Sequence, residues 1–271
     1  MRRFVALAAI VFAALTFAGS ASPLIGGTPT GTAQHTNVGA FGVVLNGTFL
    51  EVCSGTVIEP NVVITAGHCT FFFEQLESRT TPLDVVFTLD PSPTAASPSY
   101  DAVDFFTHPD YVDELRGNSK CGLVGECTTD VGLAELGTAS TATLAARAPG
   151  GYVDTLDLKS QLFTIVGYGT QGFANAQTPI GPNGGTRKAG TFEAIGQDVT
   201  RDRFLKLSGQ HFRTNTCFGD SGGPVFANGK LVAVVSFGQS NVCASNGYYT
   251  RVDTESVSSW IASTLATISE A

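Results

Sequence analysis

Basic residues are scarce in this chain: 15 Lys and Arg stand against 23 Asp and Glu, a formal net charge of −8. A chain so acidic has no electrostatic hold on nucleic acid or on an anionic membrane surface, so neither is expected as a partner. Long apolar runs are equally rare. The one that exists, Phe4 to Ala18, is shorter than the roughly 20 residues a membrane span requires. Arg2 and Arg3 precede it and small residues follow through Ala21, the three-part layout of a secretory signal peptide over residues 1–21, with Ala18 the alternative cleavage point. The exported part, residues 22–271, is then expected to leave the membrane and act outside the cell. Zinc spacing is missing too: no Cys-x₂-Cys pair occurs, and Cys121-x₅-Cys127 is too open for a knuckle. Six cysteines, all in the exported part, point instead to an oxidising compartment and up to three disulfides.

Helical periodicity is absent except at the C-terminus. There Val257, Trp260, Ile261, Leu265 and Ile268 recur at helical spacing after Thr254 or Ser256 as N-cap, which predicts a helix over about 254–268. Elsewhere the chain is a series of short apolar or alternating runs: Phe41–Leu45, Thr48–Glu51, Gly55–Ile58, Val62–Thr65, Val85–Leu89, Phe163–Gly167, Pro224–Ala227, Leu231–Phe237 and Tyr248–Val252. Asn46-Gly47 and Asn228-Gly229 fall between runs where a two-residue hairpin turn wants positive φ. With 31 glycines among them, these strands predict an all-β fold of barrels or sandwiches rather than βαβ units. Ala139–Gly151 reads as a connector, and Pro91–Ser99 and Gly172–Gly190 as long surface loops.

Three stretches carry the chemistry. In Cys217-Phe218-Gly219-Asp220-Ser221-Gly222-Gly223-Pro224 a serine is enclosed by glycines ahead of an apolar run. An aliphatic hydroxyl is a weak nucleophile until an oriented base takes its proton. Gly219, with no Cβ, lets the backbone turn so that its N–H and that of Ser221 converge on one spot, an oxyanion hole. The base is found in Thr65-Ala66-Gly67-His68-Cys69: of four histidines only His68 sits in a small-residue frame, whereas His35 and His211 lie in polar, loop-like settings and His108 heads His108-Pro109-Asp110-Tyr111. The acid is Asp130, at the mouth of the apolar run Val131-Gly132-Leu133-Ala134, where a carboxylate needs a partner. Asp101, Asp104, Asp110 and Asp113 are its rivals, in more polar surroundings.

The eight-residue serine string, the His68 motif and the order His68, Asp130, Ser221 together resemble the chymotrypsin-like serine proteases. Further likenesses run along nearly the whole exported chain. Val166-Gly167-Tyr168-Gly169-Thr170 is similar to the family's Gly-Trp-Gly-Thr, Val235-Ser236-Phe237-Gly238 to its Val-Ser-Trp-Gly, and Gly247-Tyr248-Tyr249-Thr250-Arg251-Val252 to its Gly-Val-Tyr-Thr-Arg-Val. Departures are Phe237 in place of tryptophan, a missing cysteine pair in the second half, and a long His68-to-Asp130 gap assigned to rim insertions near Pro91–Ser99 and Cys121–Cys127.

The resemblance implies two antiparallel six-stranded β-barrels, the first over about 24–140 and the second over about 150–253, followed by the C-terminal helix. It implies a secreted, monomeric endopeptidase acting on protein or peptide substrates with no metal or cofactor, Ser221 as nucleophile, His68 as base, Asp130 as its orienting acid, and Gly219 and Ser221 as oxyanion donors. It pairs Cys53 with Cys69 and Cys217 with Cys243, leaving Cys121–Cys127 by elimination. It gives Ser236 a further role supporting Asp130. It places Asn215 and Thr216 at the floor of the substrate pocket and Ser236, Phe237, Gly238 and Gly247 on its rims. With no aspartate at that floor, the expected cut follows an uncharged, apolar or aromatic residue. Leu24-Ile25-Gly26-Gly27 is similar to the family's Ile-Val-Gly-Gly start, so that a freed amine at Leu24, or alternatively at Ile25, would pair with Asp220; a site formed without trimming is the rival expectation. The alternative function is an inactive homologue serving as a secreted binding protein.

Overall fold

A computed structural model describes residues 24–78, 83–112, 129–170, 173–175, 178–179, 185–196, 203–240 and 242–270. The expected signal peptide, residues 1–21, and Cys121 and Cys127 lie outside the described residues. In chain order the strands are β1 (Thr28–Pro29), β2 (Val38–Leu45), β3 (Thr48–Glu59), β4 (Val62–Thr65), β5 (Val85–Thr88), β6 (Tyr100–Thr107), β7 (Gly132–Leu136), β8 (Leu162–Gly167), β9 (Phe173–Asn175), β10 (Thr178–Pro179), β11 (Lys188–Ala194), β12 (Phe204–Ser208), β13 (Pro224–Ala227), β14 (Lys230–Gly238) and β15 (Gly247–Arg251). Helix α1 (Gly67–Glu77) follows β4, and α2 (Glu255–Glu270) ends the chain.

Two closed antiparallel six-stranded barrels result, as the resemblance implies. The first closes in the order β2-β3-β4-β7-β6-β5. The second runs β11-β12-β15-β14-β13-β8 and closes through β8 against β11, with β1 added at the edge of β11. Both predicted hairpins form: Asn46 and Gly47 sit at φ +51° and +75°, and Asn228 and Gly229 at +50° and +75°, the paired left-handed conformations that match strand twist. The first barrel is filled by an aromatic stack in which Phe41 lies 4.7 Å from Phe87 and 5.3 Å from Phe73, and Phe73 5.3 Å from Phe105. Phe163, Ile165, Phe192, Leu205, Val225 and Tyr249 fill the second.

Helix α2 lays Val257, Ile261 and Ile268 over Ile58, Ile64 and Leu133 of the first barrel and Leu231 and Val234 of the second. It therefore clamps the junction rather than one barrel alone. Thr254 supplies its predicted cap, accepting the Val257 amide on Oγ1 at 3.4 Å. The segment 24–30 does not enter the first barrel: Leu24 is fully buried in the second core, Ile25 bridges to Asn215, and β1 pairs with β11.

Helix α1 contradicts the expectation that helix is confined to the C-terminus. Its N-cap residue, Ala66, makes no side-chain cap bond, so the usual start signal is missing. The cap comes from far along the chain: Asp130 Oδ1 accepts the His68 amide at 2.7 Å. The runs Thr48–Glu51 and Gly55–Ile58 prove to be one strand, β3, whose pairings with β2 and β4 each shift register once.

Candidate active site

Two neighbouring strands position His68 and Asp130, the expected base and acid. Strand β4 pairs with β7 so that Thr65 stands opposite Gly132. Helix α1 starts one residue beyond β4, after Ala66, and Asp130 lies two residues before the start of β7. His68 Nδ1 lies 2.8 Å from Asp130 Oδ2, Ser236 Oγ donates to the same oxygen at 2.5 Å, and the His68 amide donates to Oδ1 at 2.7 Å. Asp130 is only 4% exposed, yet it is fully provided with donors. Burial alone would raise its pKa, but the His68 charge and the hydrogen bonds from His68 and Ser236 outweigh it and hold the carboxyl below its ordinary value. Burial likewise pulls His68 down, while the charge and hydrogen bond of Asp130 act the other way and leave the imidazole raised. The rival acids are elsewhere: Asp101 and Asp104 are exposed on β6, Asp110 is exposed beyond it, and Asp113 lies outside the described residues.

The serine arrives from the second barrel on the turn before β13. Gly219 at φ +96° and Gly222 at φ +77° adopt backbone that an L side chain rarely takes. At Gly222 the chain presses so closely on the start of α1 that a Cβ would collide with Thr65 Oγ1 and the Ala66 amide. Ser221 is thereby set against the His68 segment, in the crevice between the barrels. His68 Nε2 is buried and has no hydrogen-bond partner, Ser221 included. Catalytic hydrogen bonds are often long before substrate arrives.

Next to the serine, Asp220 is fully buried and accepts the Gly169 amide on Oδ1 at 2.9 Å and the Cys217 amide on Oδ2 at 2.8 Å. Among the described residues no cation pairs with it, and burial pushes it up to about 7 despite those two donors. The disulfides Cys53–Cys69 and Cys217–Cys243 brace the segments that carry His68 and Ser221. Cys53, His68 and Cys69 also form a tight cluster of metal-binding atom types, but the two sulfurs are bonded to each other and offer no thiolate.

A cleft opens at Ser221, lined among others by Thr216, Val235, Ser236, Phe237, Gly238, Ser240 and Ser245, with no charged side chain among the described lining residues. Four of the expected pocket residues, Thr216, Ser236, Phe237 and Gly238, are therefore here. Asn215 is not among the lining residues; its Nδ2 donates to Cys243 O at 2.7 Å and its Oδ1 accepts the Thr216 amide at 3.0 Å. Gly247 is not among the lining residues and packs closely against Tyr249, and Phe237 stacks on Tyr248 at 4.7 Å. Sequence reasoning missed two residues that touch the serine loop from β3: Ser54, and Glu51, whose carboxyl is packed against Gly219. The one available signal was polarity, since Ser54 and Glu51 interrupt a core strand.

The family model described as Trypsin matches residues 25–261 of this chain. A curated trypsin from Saccharopolyspora erythraea is 27% identical over 213 residues, covering 74% of this chain and 82% of that protein. A trypsin from Simulium vittatum is 25% identical over 215 residues, covering 74% and 75%. A solved structure described as the atomic resolution structure of HBP shares the fold, with a TM-score of 0.66 at 17% identity over 90% of this chain and 97% of that one.

Proposed function

Since the chain belongs to the trypsin family of serine proteases, we propose that it is a secreted endopeptidase that cuts peptide bonds through an acyl-enzyme on Ser221. The observation that carries this reading is His68: one ring nitrogen is fixed to a buried carboxylate at 2.8 Å, while the other is buried, without a partner, beside the serine turn. With Nδ1–H donated to Asp130, Nε2 is the lone-pair nitrogen and the base.

Ser221 Oγ attacks the scissile carbonyl carbon and its proton passes to His68 Nε2. The carbonyl oxygen becomes an oxyanion that the N–H groups of Gly219 and Ser221 receive. Collapse breaks the C–N bond, and His68 returns the proton to the leaving amine. Water, deprotonated by the same nitrogen, then splits the ester and regenerates Ser221. Asp130 stays ionised throughout, favouring the imidazolium by charge and holding its tautomer. These steps call for no metal or cofactor.

Trimming to Leu24 would free an amine within the second barrel, where Leu24 is already buried. Pairing with Asp220 would give that carboxyl the cation it lacks and pull its pKa down from about 7.

The uncharged cleft sets the preference. Among the described lining residues none offers a countercharge to a lysine or arginine head, whose burial would be strongly unfavourable. The proposed cut therefore follows Phe, Tyr, Leu or Met, with Thr216, Ser240 and Ser245 rather than Asn215 as the proposed polar contacts for an Asn or Gln. Digestion of a peptide library varied at the residue before the cut, read by mass spectrometry, tests this. Dominant cutting after Arg or Lys would overturn the specificity reading, and no cutting by the folded, trimmed protein would overturn the activity itself.

A further inference from the structure

Ser54 lies on β3 of the first barrel, fully buried, with its polar groups turned to the serine turn of the second. Its Oγ donates to Gly219 O at 2.8 Å and accepts the Tyr168 amide at 3.1 Å. Its amide donates to Ser221 O at 2.8 Å. Its own carbonyl accepts Thr65 Oγ1 at 2.8 Å, which fixes the residue from the β4 side. One strand residue thus holds the carbonyls of both residues whose N–H groups would form the oxyanion hole.

The opposite flank is pinned as well. Phe218 O accepts the Thr170 amide at 2.7 Å, and because that peptide is trans the Gly219 N–H points the other way, away from Thr170. Gly219, at φ +96°, therefore sits between two peptide planes, the first held through Phe218 O and the second through Gly219 O and through the Asp220 amide, which donates to Cys217 O at 3.1 Å. Having no Cβ, it is also where the turn can rotate most easily if a pin is lost. A competing acceptor waits behind it: Glu51 Oε1 is buried without a partner, and both carboxyl oxygens would lie 2.5–2.6 Å from a Cβ on Gly219.

We propose that Ser54 is a positioning residue of the oxyanion hole: its hydroxyl, by holding the Gly219 carbonyl, keeps the N–H groups of Gly219 and Ser221 convergent. The inference rests on the serine-peptidase reading above. Ser54 touches no substrate and acts through Gly219. Removing the hydroxyl leaves two buried backbone groups, Gly219 O and the Tyr168 amide, without their partner. It should loosen one oxyanion donor, whose outright loss costs about 10²–10³ in rate.

The test compares the wild-type enzyme with Ser54→Ala and Ser54→Gly, counting active sites by fluorophosphonate titration so that unfolded protein drops out of kcat. The expected result is a kcat lower by about 10–100-fold, within the cost of losing one donor, at nearly unchanged KM. Inhibition by a peptide aldehyde, whose oxygen occupies the hole once Ser221 adds to it, should weaken by a similar factor. Unchanged kcat and aldehyde affinity per titrated site would overturn the proposal, as would failure of both variants to give any titratable sites, since Ser54 would then serve the fold alone. A wild-type protein that neither titrates nor hydrolyses peptides would instead refute the underlying reading.

Discussion

Replacing Asp130 by Asn changes one atom and, in this geometry, reverses the polarity of the site. The backbone N–H of His68 donates to Oδ1 at 2.7 Å, so the amide oxygen of Asn must stay there; the flipped rotamer would set NH₂ against N–H. The NH₂ group then takes the place of Oδ2 and faces His68 Nδ1, which can only answer as an acceptor. The proton moves to Nε2, and the nitrogen that must receive the Ser221 proton is blocked. At the same time His68 loses the charge and hydrogen bond that raise its pKa against burial, so the acid limb of its pH–rate profile should move to lower pH. The expected fall in kcat is about 10⁴ at neutral pH, the magnitude characteristic of this substitution in serine-protease triads, with KM little changed. That corresponds to about 5.4 kcal/mol of transition-state stabilisation. Steady-state kinetics on a chromogenic peptide, repeated from pH 5 to 9, measure both effects. A kcat within tenfold of the wild type, or an unmoved limb, would refute the assignment of Asp130.

Ser236→Ala removes a single donor from Asp130 and leaves the charge and both His68 bonds in place, so kcat should drop by roughly tenfold, in line with about 1.5 kcal/mol for a hydrogen bond to a charged group; a loss near 10⁴ would show that Ser236 is what holds the carboxylate. In the untrimmed Ser221→Ala protein, Asp220 binds its proton more tightly folded than unfolded, so its contribution to stability is full below about pH 4 and is lost as pH rises through about 7. The span from 3.8 to about 7 bounds that loss near 4 kcal/mol. The melting temperature should fall from pH 4 to pH 8, and Asp220→Asn should flatten the slope; an equal slope in both proteins would contradict the assignment.

Legibility in the sequence followed locality. The strings around Ser221 and His68 are contiguous, and the Asn-Gly hairpins are set by two residues each, so all could be read directly. Helix α1 could not, because its cap is Asp130, 62 residues from the amide it serves. Strand β6 was hidden by Asp101 and Asp104 on its exposed face. Strand β11 begins inside a glycine-rich stretch, and Arg187 and Lys188 there are buried charges that look like surface in one dimension. Arg187 is satisfied by Thr30 Oγ1 and by carbonyls of Gly31, Gln34, Val38 and Leu89, partners brought together by folding alone. Of the expected pocket floor, Thr216 lines the cleft while Asn215 does not, and the bond from the Asn215 amide to the Cys243 carbonyl is again a contact that only folding brings together.

The central claim is that Ser221 is a nucleophile made reactive by His68. Incubating the purified exported protein with a fluorophosphonate probe, followed by tryptic mapping, addresses it without knowledge of any substrate. The account predicts one equivalent of label, located on Ser221, none on Ser221→Ala, and strongly slowed labelling of His68→Ala. A folded protein that takes up no label, or one labelled equally well after Ser221→Ala, would contradict it.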